Sequence, residues 1–207
     1  MPAKNRDLHG NVPDASGVAL LLIDVVNDFE YKDGATLLAQ AVPMAERLAT
    51  FKRRARQAGI PAIYANDNFG RWQSDFRKIV DHCLEARGRP VAERLLPAAD
   101  DYFVLKPKHS AFYSTTLDTL LDYLGVHTLV LTGIAGNSCV LFTAADAFMR
   151  DFHLIVPRDC VVSIEPEDNE RALEHMGKVL DVELCLSTDL DVEALAARAR
   201  PEPADDR

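Results

Sequence analysis

Hydrophobic positions along the chain fall into two kinds of segment that take turns. Short apolar runs rich in β-branched residues, such as VALLLID and TLVLT, alternate with longer stretches in which apolar residues recur at helical spacing. This is the pattern of a parallel sheet with crossover helices. Six strands are predicted, at Val18–Asp24, Pro61–Ala65, Asp101–Lys106, Thr128–Thr132, His153–Pro157 and Val182–Leu186. The first and fourth are nearly continuous apolar runs, as strands covered by helices on both faces should be.

Between the strands, Met44, Leu48, Phe51 and Ala55 mark a helix that stops at Gly59, and Leu117, Leu120, Leu121 and Leu124 mark another that stops at Gly125. Val140–Met149 and Glu167–Leu180 supply two more, and Asp75–Ala86 carries a weaker periodicity. The expectation is a single-domain, three-layer α/β/α fold over 17–197 with a six-stranded, mainly parallel sheet. Polar, proline-bearing tails at 1–16 and 198–207 are expected to be flexible.

Composition narrows the function. A formal net charge of -9 argues against nucleic acid, since a phosphate-binding surface needs clustered Lys and Arg. Arg53, Arg54 and Arg56 come nearest to such a cluster and read as a solvated helix face. No apolar run approaches bilayer-spanning length and the N-terminus has no signal-peptide h-region, so a cytoplasmic protein without membrane contact is expected. Cys83, Cys139, Cys160 and Cys185 are then reduced thiols, too widely spaced for a C-x-x-C motif.

In an open parallel sheet, ligands bind beyond the carboxyl ends of the strands, so polar residues that end apolar strands carry the chemistry. Asp24 closes VALLLID, Lys106 closes DYFVLK, and Cys139 follows TLVLT across the turn GIAGNS. A thiol at a helix N-terminus, beside a cation, is favoured as thiolate, while a free cysteine is equally at home as an inert buried hydrophobe. Lys106 and Lys108 are rivals for the cationic role. A carboxylate directly after a run of apolar residues is costly to bury unless partnered, which makes Asp24 more than a loop cap. Nucleophile, proton acceptor and cation together are what a thiol hydrolase requires.

The segments LLLIDVVNDF, KPKHSAFYSTTLDTLLDYLGV and LVLTGIAGNSCVLFTAADAF resemble, in order and spacing, three motifs of the isochorismatase-like cysteine hydrolase superfamily, from about Val18 to Ser163. The resemblance implies a catalytic triad of Asp24, Lys106 and Cys139, with Lys106 preferred to Lys108 because it stands four residues before Ser110 of the S-A-F segment. It also implies a non-proline cis peptide between Ile134 and Ala135 and an oxyanion hole formed by the N–H groups of Ala135 and Cys139. Two departures stand out. Val26 replaces a glutamine common in the family, and the stretch NDNFGRWQSDF lacks the histidine of the metal-binding D-x-H found in nicotinamidases. No metal and no cofactor are therefore expected.

The activity implied is cleavage of a small carboxamide or related C–N bond. Asp24 takes the thiol proton, returns it to the leaving amine and activates the water that hydrolyses the thioester. Phe29, Asn68, Phe69, Arg71, Trp72, Phe112 and Tyr113 are candidates to line the pocket, with Arg71 suited to a substrate carboxylate. A homo-oligomer, dimer or tetramer, and a small-molecule substrate are the partners expected. The alternatives are a vinyl ether hydrolase of the isochorismatase type, a non-catalytic scaffold of the same fold, and a flavodoxin-like nucleotide binder. The last lacks a G-x-G-x-x-G or Walker loop.

Overall fold

The computed structural model describes residues 16–70, 72–73 and 75–198. The elements run β1 (Val18–Ile23), α1 (Gly34–Gln57), β2 (Ala62–Asp67), α2 (Phe76–Glu85), α3 (Arg89–Arg94), β3 (Tyr102–Lys106), α4 (Leu117–Leu124) and β4 (Thr128–Ile134). A short π-helical turn (Gly136–Val140) leads into α5 (Leu141–Phe148), followed by β5 (His153–Pro157), β6 (Val161–Val162), α6 (Pro166–Val179), β7 (Glu183–Cys185) and α7 (Val192–Arg198). The pairing is parallel throughout, in the order β3-β2-β1-β4-β5-β7, with the two-residue β6 laid beside the end of β4.

All six strands predicted from the sequence are present, in one sheet covered by helices. What the sequence did not signal is β6 and the short helices α3 and α7, which are too brief to display a period.

Strand β1 shows why the sheet needs cover on both sides. Successive side chains point to opposite faces, so Val18, Leu20 and Leu22 pack with Met44, Leu48 and Phe51 of α1. Ala19, Leu21 and Ile23 pack with Leu117, Leu121 and Leu124 of α4, Ala144 and Ala147 of α5, and Leu173 and Met176 of α6. Every residue of β1 is fully buried. At about 25 cal/mol per Å² of apolar surface, burying each of its larger aliphatic side chains contributes roughly 1.5–3 kcal/mol.

The arginines of α1 are not uniformly solvated. Arg54 donates to the carbonyls of Ser187 (2.9 Å) and Leu190 (2.7 Å), tying the segment after β7 to the helix, whereas Arg53 and Arg56 are exposed as the sequence suggested. The expected flexible tails, save Ser16 and Arg198, lie outside the described residues. No helix among those residues is long and apolar enough to cross a membrane.

Strand order decides where a ligand fits. The chain leaves β1 toward β2 and β3, then returns to β4 and continues to β5 and β7 on the other side. The reversal falls between β1 and β4, which opens a crevice beyond their carboxyl ends.

Candidate active site

Asp24 and the turn after β4 flank that crevice. Asp24 follows β1 with φ of 51° and is 6% exposed. Its carboxylate is held from two sides, Oδ1 accepting from the Asp67 N–H at 2.7 Å and Oδ2 facing Lys106 Nζ at 2.7 Å. Lys106 comes from β3, two strands away, roughly 10 Å across the sheet at ordinary interstrand spacing. Its long side chain spans the end of β2, and the residue is completely buried. Lys106 Nζ also donates to the Lys108 carbonyl (3.2 Å) and lies 3.5 Å from Cys139 Sγ, while Lys108 itself is exposed. Carboxylate, ammonium and sulfur thus form one cluster assembled from three distant segments.

The backbone around the sulfur is built from exchanges that a side chain would block. Gly133 ends the apolar run of β4 at φ 114°, where an added Cβ would lie 2.0 Å from the Ile23 carbonyl oxygen. The Ile134–Ala135 peptide is cis. The Val140 N–H then reaches back to the Ala135 carbonyl (3.1 Å), closing the wide turn that carries Cys139. From below, Ser163 Oγ accepts from the Asn137 N–H (3.1 Å) and donates to Asn169 Oδ1 (2.9 Å). Asn169 Nδ2 in turn donates to the Val161 carbonyl at 3.2 Å. The Thr143 hydroxyl donates to the Cys139 carbonyl (2.7 Å) and accepts from the Ala111 N–H (3.0 Å), which joins the Cys139 turn to the Ser110–Phe112 loop.

Electrostatics in the cluster favour a neutral thiol beside an ion pair. Burial pushes the Asp24 carboxyl up, with Lys106, the Cys139 thiol and the Asp67 N–H offsetting only part of that. Burial pulls the Lys106 ammonium down, but the charges of Asp24 and Cys139 outweigh it and hold the ammonium above its ordinary value. The Cys139 thiol is pushed up to about 12, first by burial and then by the Asp24 charge, against the smaller pull of Lys106. The helix N-terminus and the lysine, which from the sequence are expected to lower that value, do not prevail. Depth of burial and a facing carboxylate, neither visible in the sequence, dominate.

The other sequence candidates separate by position. Phe29 is fully buried in packing around α1, and Phe112 is 5% exposed in the opposite core, where Arg150 lies over its ring at 4.7 Å. Asn68 donates its N–H to the Lys106 carbonyl (3.3 Å), so it borders the site, and its side chain accepts from the Gly70 N–H. Phe69 packs against the first core, Trp72 and Tyr113 are exposed, and Arg71 lies outside the described residues. Val26, in place of the family glutamine, is a core residue whose backbone is clamped by Asn66, Oδ1 accepting at 3.1 Å and Nδ2 donating at 2.8 Å.

Two residues that the sequence does not single out lie by the sulfur. Ser138 Oγ is 4.0 Å and His109 Nδ1 is 3.6 Å from Cys139 Sγ. Burial raises the Tyr31 phenol to about 12, with the charges of Asp28, Asp24 and Cys139 adding to it. Asp67 Oδ1 already accepts from the Phe69 N–H at 2.6 Å, and among the described residues no three His, Cys, Asp or Glu side chains converge as ligands would.

Residues 18–184 match the isochorismatase domain model. The chain belongs to the isochorismatase family. It is 45% identical to the uncharacterized isochorismatase family protein YaaI of Bacillus subtilis over 166 residues, covering 80% of this chain and 92% of that one. The ureidoacrylate amidohydrolase RutB of Methylorubrum extorquens is 30% identical over 214 residues, with 85% of each chain covered. Among solved structures, the N-carbamoylsarcosine amidase of Thermoplasma acidophilum superposes with a TM-score of 0.66 at 29% identity, covering 84% of this chain and 98% of that one. The α/β fold with its parallel sheet is that of isochorismatase family hydrolases.

Proposed function

We propose that this isochorismatase family member is a cysteine hydrolase that cleaves the C–N bond of a small carboxamide through a thioester on Cys139. The observation that carries the reading is the buried cluster itself: Sγ lies 3.5 Å from Lys106 Nζ, which lies 2.7 Å from Asp24, at the crevice where the strand order reverses. Two relatives whose names denote C–N cleavage, an amidohydrolase and an amidase, support an amide over a vinyl ether.

The electrostatics suit a concerted first step. A neutral thiol is a poor nucleophile, so its proton moves as the sulfur attacks the carbonyl carbon. Asp24 is the acceptor, and burial makes it a stronger base than an exposed aspartate. Lys106 keeps the carboxylate in place and stabilises the negative charge as it passes to sulfur. The N–H groups of Ala135 and Cys139 hold the tetrahedral oxyanion. When the intermediate collapses, the C–N bond breaks and the amine leaves with the proton from Asp24. Water then hydrolyses the thioester, releasing the acid and the thiol.

A panel of small primary amides, carbamoyl amines and ureido acids, scored by ammonia release, tests this. At least one should be turned over by the wild type and by no Cys139→Ala preparation. Equal hydrolysis by Cys139→Ala, or turnover confined to a vinyl ether with no ammonia, would contradict it.

A further inference from the structure

The nucleophile has two faces, and the mechanism above uses only one. On the inner side Cys139 Sγ meets Lys106 and Asp24. On the outer side it meets the exposed imidazole of His109, whose Nδ1 stands 3.6 Å from Sγ and 3.3 Å from Ser138 Oγ. The ring stacks on Phe142, with centroids 5.5 Å apart and planes 30° apart, so the nitrogen is directed at the sulfur by packing as well as by its place in the loop. Phe142 is 53% exposed, so this stack lies at the surface, open to solvent.

We propose that His109 is a further catalytic residue, the base that activates the water for thioester hydrolysis and the acid that returns the proton to sulfur. This rests on the cysteine hydrolase reading and reassigns one step of it, since the sequence reading gave water activation to Asp24. Once sulfur carries an acyl group, Asp24 is poorly placed for a water coming from solvent. It is 6% exposed, and its oxygens hold the Asp67 N–H and Lys106 at 2.7 Å each. His109 is on the open side, with Nδ1 3.6 Å from the sulfur that would carry the acyl group.

The step balances through one nitrogen. Water oxygen bonds to the thioester carbonyl carbon as its proton passes to Nδ1. The C–S bond then breaks, the electron pair goes to sulfur, and the Nδ1 proton follows it to regenerate the thiol. Neither Asp24 nor Lys106 changes its proton count over this half-reaction. Labour is thereby divided between the buried carboxylate, which serves acylation, and the exposed imidazole, which serves deacylation.

Pre-steady-state hydrolysis of p-nitrophenyl acetate separates the two halves, because acylation releases p-nitrophenolate in a burst and deacylation sets the steady rate. His109→Phe keeps a ring on Phe142 and is expected to retain the burst while its steady rate falls about 100-fold, within the usual range for a general base. Peptide mapping should find acetyl persisting on Cys139. His109→Ala should behave alike and regain turnover when imidazole is added to the buffer, which a packing role would not produce. Asp24→Asn should lose the burst. Unchanged turnover in His109→Phe, or burst and steady rate falling together, would overturn the assignment. A wild type that never carries acetyl on Cys139 would overturn the cysteine reading itself, and this inference with it.

Discussion

At the residue scale, the balance between Asp24 and Cys139 makes an unusual demand. The carboxylate is the second cause, after burial, of the raised thiol, so Asp24→Asn should lower the Cys139 value from about 12 while abolishing amide turnover. The pH dependence of iodoacetamide labelling would show it: a more acidic thiol in an inactive enzyme. A variant that labels at the wild-type pH and still turns over would show that the carboxylate is not the proton acceptor. Lys106→Met leaves Asp24 buried without its cation, an arrangement that typically costs about 3–5 kcal/mol, lessened where the carboxyl takes up a proton instead. Urea unfolding should register a loss of that order, together with lost activity. Asp24 and Lys106 were legible as polar endings of apolar strands, and Cys139 as a thiol opening the helix after one. Their protonation was not, because it depends on burial depth and on groups distant in sequence.

At the scale of elements, the turn that carries Cys139 depends on α6 for its position. An added Cβ on Gly136 would lie 2.1 Å from Asn169 Oδ1, inside the Ser163–Asn169 contact that supports Asn137. Gly136→Ala should therefore destabilise by about 1–3 kcal/mol, the usual cost of overpacking, and should lower kcat through displacement of the turn. Combining it with Asn169→Ala removes the nearer contact and leaves only Val161 Cγ1 at 2.8 Å, so the double variant should be more stable than the sum of the two losses, as thermal or urea unfolding can check. Simple additivity would mean that the contact does not hold the turn. These supports were invisible in the sequence for a plain reason. Ser163 sits 26 residues from its partner Asn137, Asn169 reaches the turn only through Ser163, and no local pattern marks such a relay. Likewise His109 reads as one more polar residue in KPKHS until the fold sets it 3.6 Å from sulfur. The strands and long helices were readable because period and glycine stops are local.

At the scale of the whole molecule, the thiols give stability a direction with pH. Cys139 and Cys160 are raised to about 12 and Cys185 to about 11, each first by burial, from an ordinary value of 9.0. Between those limits the unfolded chain loses protons that the folded chain keeps, so stability is fully present below pH 9 and is lost as pH rises toward 11 to 12. For the largely buried Cys139 and Cys160 the slope is on the order of 1 kcal/mol per group per pH unit, and for the half-exposed Cys185 solvent screening makes it smaller. Urea midpoints measured from pH 8 upward should fall, and Cys160→Ser should shallow the fall, whereas a flat profile would mean that these thiols titrate alike in both states. The parallel sheet with its switch between β1 and β4 brings Asp24, Lys106 and Cys139 to one crevice, and the proposed chemistry follows from that placement. The most direct test is acid-quenched mass spectrometry during turnover of an amide accepted from the panel. The account predicts an acyl group on the peptide bearing Cys139, absent in Cys139→Ala. Turnover with that peptide unmodified at every time point, and sustained in the alanine variant, would contradict it.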